Sequence, residues 1–490
     1  RAPEGGVGLS GSGVYDVVHD VLELVFTLTA PLILTYFLLI NSSYLALVII
    51  SAVEFRGHMD RKDTRRDQIA GELAPGVSVI VPAYNEEALI VSSVQALLTL
   101  RYPQHEVVVV DDGSTDGTLA ALVRAFDLVV VPSHHPGEIP VRAAVRDVLV
   151  PRNGRTRLIV VTKANSGRSE AINVGVNTAR EPLVALIDAD SILEPDALVR
   201  VTQSFIDDPS RVVAAGGTVR AINGSTVSNG RIVRLRMPRS WLARAQVVEY
   251  LRSFLIGRTG WASMGTLLLI SGAFGVYRRD VVIDAGGLDP DSIGEDFELC
   301  LRVHKMMRDR GRDYRVVFVP EPVCWTEVPS TRAVLRRQRS RWHRGLWETL
   351  WAYRGMLFRR RYGRIGWVGL PYYWLFELAA PLIEAGGLIL VPLGMAFGVV
   401  NVQYALVLLL VSYGYAIFVT LAAMCAEEWA FHRYDRWRDL GVAVAAAVFE
   451  NLGYRQMTVL WRLEGWWASL RGKKQVWGVM TRTGFEEEAA

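Results

Sequence analysis

Residues 77–118 read VSVIVPAYNEEALIVSSVQALLTLRYPQHEVVVVDDGSTDGT. VSVIVP (77–82) is a short β-branched run bounded by Pro75-Gly76 and Pro82, and EVVVV (106–110) is a second. A helical pattern joins them from Glu86 to Leu100, and another begins after Asp116. RLIVV (157–161), a helix from Ser169 to Ala179 and PLVALI (182–187) continue the alternation. Strand, helix, strand at this spacing predicts βαβ units and a parallel sheet. Residues 127–156 break the rhythm with a basic, Pro-containing insertion, expected to be a surface excursion.

In such sheets ligands bind at the carboxyl ends of the strands. The first strand ends in Ala83-Tyr84-Asn85-Glu86-Glu87, the second in Asp111-Asp112-Gly113-Ser114-Thr115-Asp116, and the last in Asp188-Ala189-Asp190. One such end alone is ordinary turn chemistry, and Asp116 could cap the next helix. Three acidic ends on one sheet edge are different, because gathered carboxylates repel unless a cation or hydrogen-bond donors satisfy them. Hard oxygen ligands suit Mg²⁺ or Mn²⁺ carrying a diphosphate. Alternate residues of an extended segment let one carboxylate of Asp188/Asp190 meet the metal directly and the other through water or the sugar.

The chain has 490 residues, room for about three domains and a large core. Hydrophobic residues are 51% and charged residues 21%, with mean hydropathy +0.22. This excludes a disordered chain, and three cysteines (Cys300, Cys324, Cys425) exclude a disulfide framework. A net charge of +4 argues against a nucleic-acid partner.

The apolar surplus is local. No charge interrupts Leu24 to Val53, enough for one span, nor Ala385 to Ala426, where spans are expected near 369–393 and 402–426. A fourth candidate, Leu440–Trp461, carries Glu450, Asn451, Arg455 and Gln456, so an interfacial helix is its alternative. Arg56, Arg61, Lys62, Arg65 and Arg66 follow the first span, and eleven arginines face one acid, Glu348, between Arg332 and Arg364. The positive-inside rule places the middle of the chain in the cytoplasm. Three spans after it would put Arg471, Lys473, Lys474 and Arg482 outside, against the same rule. The chain begins without Met, which leaves room for an upstream span, and its first apolar run is too long and lacks the basic start of a cleavable signal. Trp241–Gly260 and Gly345–Phe358 mix aromatic residues with arginines and are expected to be amphipathic helices on the inner leaflet. Asn41-Ser42-Ser43 and Asn223-Gly224-Ser225 match glycosylation acceptors, which the expected burial and cytoplasmic placement make accidental.

VSVIVPAYNEE, VVVVDDGSTDGT, KANSGRSEAINVG and LIDADSILEPDAL resemble the GT-A domain of family-2 glycosyltransferases. SGAFGVYRRD (271–280), GEDFEL (294–299) and QRSRW (338–342, a QxxRW pattern) resemble its processive membrane branch, the cellulose, chitin, hyaluronan and poly-N-acetylglucosamine synthases. The resemblance covers residues 77 to about 350. It implies an α/β GT-A nucleotide-sugar transferase domain inserted between transmembrane α-helices, with amphipathic interface helices. The expected segments are 1–55 (N-terminal segment and transmembrane helix), 56–345 (cytoplasmic GT-A domain), 346–368 (interface helix region), 369–470 (C-terminal transmembrane helices) and 471–490 (basic tail).

By resemblance, Ala83, Tyr84 and Glu86 contact uridine, Asp111 or Asp112 the uracil or ribose, and Lys163 and Arg168 lie near the donor. Asp188 and Asp190 match the DxD pair holding Mg²⁺ or Mn²⁺ and the diphosphate. Glu295-Asp296 matches the family's acidic pair, with Asp296 the base: a sugar hydroxyl is a weak nucleophile, and a carboxylate that accepts its proton assists transfer. Gly294 stands where many members have Thr. On a helix Gln338, Arg341 and Trp342 share one face. Arg341 can stabilise the leaving diphosphate, and Trp342 offers a platform for a sugar ring. The implied activity is inverting elongation of a polysaccharide from a UDP-sugar at the inner face of a bacterial-type plasma membrane, by a multi-pass protein that passes the growing glycan across the bilayer. A homo-oligomer or an export partner would complete the passage if one chain does not form it. The alternatives are a single-addition transferase acting on a polyprenyl-phosphate or other lipid, and a catalytically silent membrane receptor for nucleotide or glycan. No cyclic-nucleotide module follows the last span, and Trp477–Arg482 only faintly matches the FxVTxK gating segment of cellulose synthase.

Overall fold

The chain opens with helix α1 (Gly11–Arg65) and then lays down a ten-stranded mixed sheet. The computed structural model describes residues 11–65, 74–132, 137–228, 230–431, 437–471 and 486–487. Nearly all of the 471–490 tail, including Trp477–Arg482, lies outside the described residues, as does Arg66.

The strands are β1 (Val77–Ala83), β2 (His105–Asp111), β3 (Leu128–Val131), β4 (Val145–Pro151), β5 (Leu158–Lys163), β6 (Leu183–Ile187), β7 (Ile192–Leu193), β8 (Val212–Ala221), β9 (Thr226–Ser228), β10 (Arg231–Arg234), β11 (Phe274–Arg278) and β12 (Arg315–Thr326). Their order in the large sheet is β3-β4-β5-β2-β1-β6-β11-β8-β12-β7. β5, β2, β1 and β6 are parallel, in the register Ala83↔Asp111 and Val77↔Leu183, so their carboxyl ends share one edge. These strands are β-branched and buried on both faces, as a strand covered on two sides requires. The connections α2 (Ile90–Leu98), α3 (Thr118–Phe126), α4 (Arg168–Thr178) and α5 (Ala197–Asp207) supply the covering layers.

Residues 127–156 depart from the expected excursion. β3 and β4 extend the sheet as antiparallel strands, with Leu128 opposite Pro151 and Val148 opposite Val161. The loop beyond β3 is tied down too: Asn177 exchanges hydrogen bonds with the buried Ile139 backbone, at 2.9 and 2.8 Å.

The segment expected to lie on the leaflet is α6 (Trp241–Tyr250), a π-helical stretch (Leu251–Gly257) and α7 (Arg258–Ser263). It is wedged inside the protein, between β8 on one side and the apolar helices on the other. Most of its side chains are buried, because both faces meet protein. The remaining helices before the C-terminal apolar stretches are α8 (Arg279–Asp284), α9 (Glu295–Asp309) and α10 (Arg332–Ala352). The second expected surface segment, 345–358, is the last part of α10 followed by a 3₁₀ turn (Arg354–Met356); Trp347 and Trp351 stack at 5.5 Å, and Trp347 also meets Trp466.

After α10 come α11 (Leu370–Tyr372), α12 (Ala380–Ala396), α13 (Val402–Leu409), α14 (Tyr415–Phe431), α15 (Trp437–Phe449) and α16 (Arg455–Leu470). Three helical stretches among the described residues are long and apolar enough to cross a membrane: Tyr15–Gly57, Ile365–Ala396 and Val402–Phe431. The protein is a membrane protein, and the expected runs fall inside these stretches. The fourth candidate, Leu440–Trp461, is not one helix. It breaks at Leu452 and Gly453, whose backbone leaves the helical region, and its charges find protein partners. Glu450 takes both terminal nitrogens of Arg252 at 2.9 and 2.8 Å, and Arg455 chelates Glu384 at 2.9 and 2.8 Å. A buried pair, Arg220 on β8 with Glu427 on α14 at 2.7 Å, joins the sheet to the apolar helices.

Candidate active site

The edge where β1, β2 and β6 end is built by two loops that clasp each other. Asn85, in the left-handed region at φ 57°, accepts from Thr115 N at 2.8 Å, and Glu86 N donates to Thr118 Oγ1 at 2.9 Å. Asp116 accepts from Thr118 N at 3.0 Å, as a residue placed before a helix should. Gly113 adopts φ +71°, and a Cβ there would lie 2.7 Å from Asn165 N, so only glycine lets the loops close this tightly. Ala83 is buried beside them, Tyr84 is exposed, and Glu86 is partly exposed.

Lys163 and Asp112 have a different surrounding from an open donor cradle. Lys163 is fully buried, its ammonium bonded to Asp112 Oδ1, to Ala164 O at 3.0 Å and to Ser166 Oγ at 2.6 Å. Asp112 also accepts from the Ser166 and Gly167 amides, at 3.1 and 2.9 Å. This pair fixes the turn into α4. Asp111, equally buried, accepts from Ser114 N at 3.2 Å.

The turn places Arg168 as the first residue of α4, and its guanidinium gathers the site. Arg168 Nε and Nη2 reach Asp188 Oδ1 at 2.8 and 2.7 Å, Nη1 reaches Glu295 Oε1 at 2.8 Å, and Nη2 donates to Gly272 O at 2.7 Å. Gly272 N in turn donates to Asp296 Oδ2 at 2.9 Å, while Phe297 N donates to Oδ1 at 2.8 Å. The DAD segment after β6 and the acidic pair opening α9 are thus held together by one cation and one backbone loop. Burial opposes the charge of Arg168, but Asp188 and Glu295 outweigh it and hold the guanidinium protonated above its ordinary range. Burial pushes the Glu295 carboxyl up, against the pull of Arg168 and with the push of Asp296.

α10 docks on this cluster through a glycine contact. A Cβ on Gly345 would lie 3.0 Å from Gly294 N, so the helix meets the start of α9 almost backbone to backbone. Gly294 precedes α9 without a side-chain cap. Arg341 lies within electrostatic reach of Glu295, and Gln338 Oε1 is buried without a hydrogen-bond partner. Trp342 keeps its indole 38% exposed. Arg339 lies over that indole, 4.7 Å from its centroid, and is itself clamped by Glu249 at 2.6 and 2.7 Å. Asp190 lies within electrostatic reach of Tyr250, and both Asp188 and Asp190 of Cys324.

Two oxygen sets therefore meet at one edge, Asp188/Asp190 and Glu295/Asp296. Both Arg168 contacts with Asp188 fall on Oδ1, which leaves Oδ2 without a hydrogen-bond partner among the described residues. This donor set fits a hard divalent cation. Sequence reasoning missed the positioning parts, Glu249, Gly272 and the Arg168 bridge to Glu295, because each pairs residues far apart in the chain.

Two family descriptions match this region: "Glycosyl transferase family 2" over residues 78–139 and "Glycosyltransferase like family 2" over 127–345. Together they cover the clasped loops, the DAD segment, the acidic pair and QRSRW. The protein is a family-2 glycosyltransferase. Poly-beta-1,6-N-acetyl-D-glucosamine synthase of Staphylococcus aureus (strain COL) is 26% identical to this glycosyltransferase over 328 residues, 66% of each chain. The enzyme of the same name from Staphylococcus epidermidis is 26% identical over 275 residues, 56% of this chain and 55% of the relative. The match thus spans somewhat less than two thirds of these relatives' length. Among solved structures, a mannosyltransferase from Pyrobaculum calidifontis, in complex with GDP-Man and Mn²⁺, aligns at a TM-score of 0.51 and 19% identity, over 88% of this chain and 100% of that one. That likeness supports the GT-A-like fold of this glycosyltransferase.

Proposed function

We propose that this glycosyltransferase elongates a polysaccharide from a UDP-sugar with inversion, at the cytoplasmic face of the membrane, and passes the product between its apolar helices. The observation that carries this reading is the Arg168 bridge: it joins the Asp188 side of the site, suited to a donor, to the Asp296 side, suited to an acceptor, beside the exposed Trp342. The names of the relatives suggest UDP-N-acetylglucosamine as donor and a β-1,6-linked polymer as product.

Asp296 is oriented by two backbone amides, which leaves its carboxylate to accept the proton of the attacking hydroxyl. As that proton moves, the acceptor oxygen bonds the anomeric carbon and the bond to the diphosphate breaks on the opposite face. Arg341 faces the charge that grows on the leaving group. Asp188 and Asp190 would hold Mg²⁺ or Mn²⁺, whose role when bound is to neutralise the diphosphate. Trp342 carries the sugar ring of the acceptor.

The experiment is incorporation of labelled UDP-N-acetylglucosamine by membranes holding the full chain, with the product sized. A long polymer, lost in Asp296→Asn with UDP binding retained, supports the reading. A lipid-soluble, one-sugar product, or unchanged turnover in Asp296→Asn, overturns it.

A further inference from the structure

Arg258, the first residue of α7, is 6% exposed and makes no hydrogen bond or ion pair among the described residues. Its guanidinium lies against the Phe254 ring, 4.0 Å from the centroid, and its Nη1 is buried without a partner. The groups within electrostatic reach are Tyr373, Asp296, Tyr250 and Tyr277, which come from four separate elements. Burial draws this guanidinium below its ordinary range, with those neighbours opposing. The π-helical stretch Leu251–Gly257 ends directly before it, and a π turn inserts an extra residue and is often found at functional sites.

A buried cation with no bonded partner is expensive to keep, since replacing buried charge by well-packed apolar groups is often neutral or stabilising. The groups around it indicate what would satisfy it. Tyr373 belongs to the apolar stretch Ile365–Ala396 and Asp296 opens α9, so Arg258 stands between the proposed base and the membrane helices. In the transfer reading above, that is the acceptor side of the site, opposite the Asp188 donor side. The cluster is already acidic, with Asp188, Asp190, Glu295 and Asp296 against Arg168, Arg258 and Arg341, so an anionic acceptor would be repelled beside Asp296. Neutral hydroxyl oxygens accept from a guanidinium without adding charge, and the aromatic rings of Phe254, Tyr250 and Tyr373 suit the apolar faces of a sugar.

We infer that Arg258 binds the acceptor: its guanidinium donates to hydroxyl oxygens of the terminal sugar of a neutral glycan, in a subsite walled by Tyr250, Phe254 and Tyr373. This rests on the transfer reading above and adds the acceptor's chemical class to it.

The test uses the full chain in detergent, with UDP-N-acetylglucosamine as donor and either N-acetylglucosamine oligosaccharide or polyprenyl phosphate as acceptor. Arg258→Met should keep or raise the thermal midpoint, leave the KM for donor in acceptor-free UDP release unchanged, and raise the KM for oligosaccharide about 10- to 100-fold, the loss of a charge-assisted hydrogen bond. Arg258→Lys, which keeps a donor in place, should recover part of that loss and covers the case in which the Met variant fails to fold. The inference is overturned if the KM for oligosaccharide does not move, if the donor KM rises with it, or if the variants weaken only transfer to polyprenyl phosphate. Asp296→Asn in the same assay tests the transfer reading separately: active Asp296→Asn sinks that reading, whereas an inactive one with an unchanged Arg258→Met sinks only this inference.

Discussion

Arg168 and Glu295 meet at 2.8 Å although 127 residues separate them in the chain, with Glu295 buried and Arg168 partly so. The same guanidinium holds Asp188, so it sets the spacing between donor and acceptor sides of the site. Breaking a buried pair by removing one partner leaves an uncompensated charge and costs about 3–5 kcal/mol. Arg168→Ala should therefore lower the thermal midpoint and abolish transfer. Arg168→Lys should fold better yet remain at least about tenfold slow, because one ammonium cannot copy the planar fork. Transfer at the parent rate in Arg168→Lys would show that the bridge does not position the reaction.

The divalent ion offers a second check. With Asp188 Oδ2 without a hydrogen-bond partner among the described residues, Mg²⁺ or Mn²⁺ would bind through Asp188 and Asp190. Chelation should stop UDP release, and either ion should restore it. Asp190→Ala should raise the ion concentration needed for half-maximal rate by about tenfold or more, the cost of a lost ligand. A rate indifferent to chelator would remove the ion from the site.

Much of this was legible in the sequence. β1, β2, β5 and β6 announce themselves as β-branched runs closed by Pro, Asp and Gly, because strands covered on both faces need no polar alternation. The acidic strand ends invite a chemical reading because three of them share one sheet edge, and QRSRW because it resembles the family's motif. β3 and β4 could not, since a four-residue strand with exposed positions looks like loop until its antiparallel partner is known. The break at Leu452–Gly453 was hidden because Glu450, Asn451, Arg455 and Gln456 fit an unbroken interfacial helix equally well. Arg258 was invisible for the opposite reason, an arginine among many whose meaning lies in what surrounds it.

Lys163 and Asp112 separate a structural role from a donor-binding one. Their ion pair is buried, and Asp112 also anchors two backbone amides that start α4. Lys163→Met should cost about 3–5 kcal/mol of stability, because it strands the Asp112 charge. The double variant Lys163→Met/Asp112→Asn should recover part of that loss, and the coupling measured by denaturation reports the pair. Single and double variants that simply add would show that the two residues act independently.

His304 gives a pH prediction for the helix that carries the proposed base. It lies on α9, buried between Leu267 O and the Tyr314 hydroxyl, each at 2.7 Å from a ring nitrogen. Burial lowers its pKa from the ordinary 6.5 to about 4, the Leu267 carbonyl opposing and Arg308 adding to the drop. A base whose folded pKa is depressed stabilises the fold fully above the unfolded value, and loses that contribution as pH falls from about 6.5 toward 4. The loss reaches about 3 kcal/mol at one pKa unit per 1.4 kcal/mol. His343, drawn down to about 2 by burial and by Arg462, titrates in the same direction and adds its own proton. His304→Gln should therefore flatten the fall in thermal midpoint between pH 6.5 and 4 by one proton's worth while leaving the His343 part. A pH profile identical to that of the parent chain would mean that His304 does not couple protonation to the stability of α9.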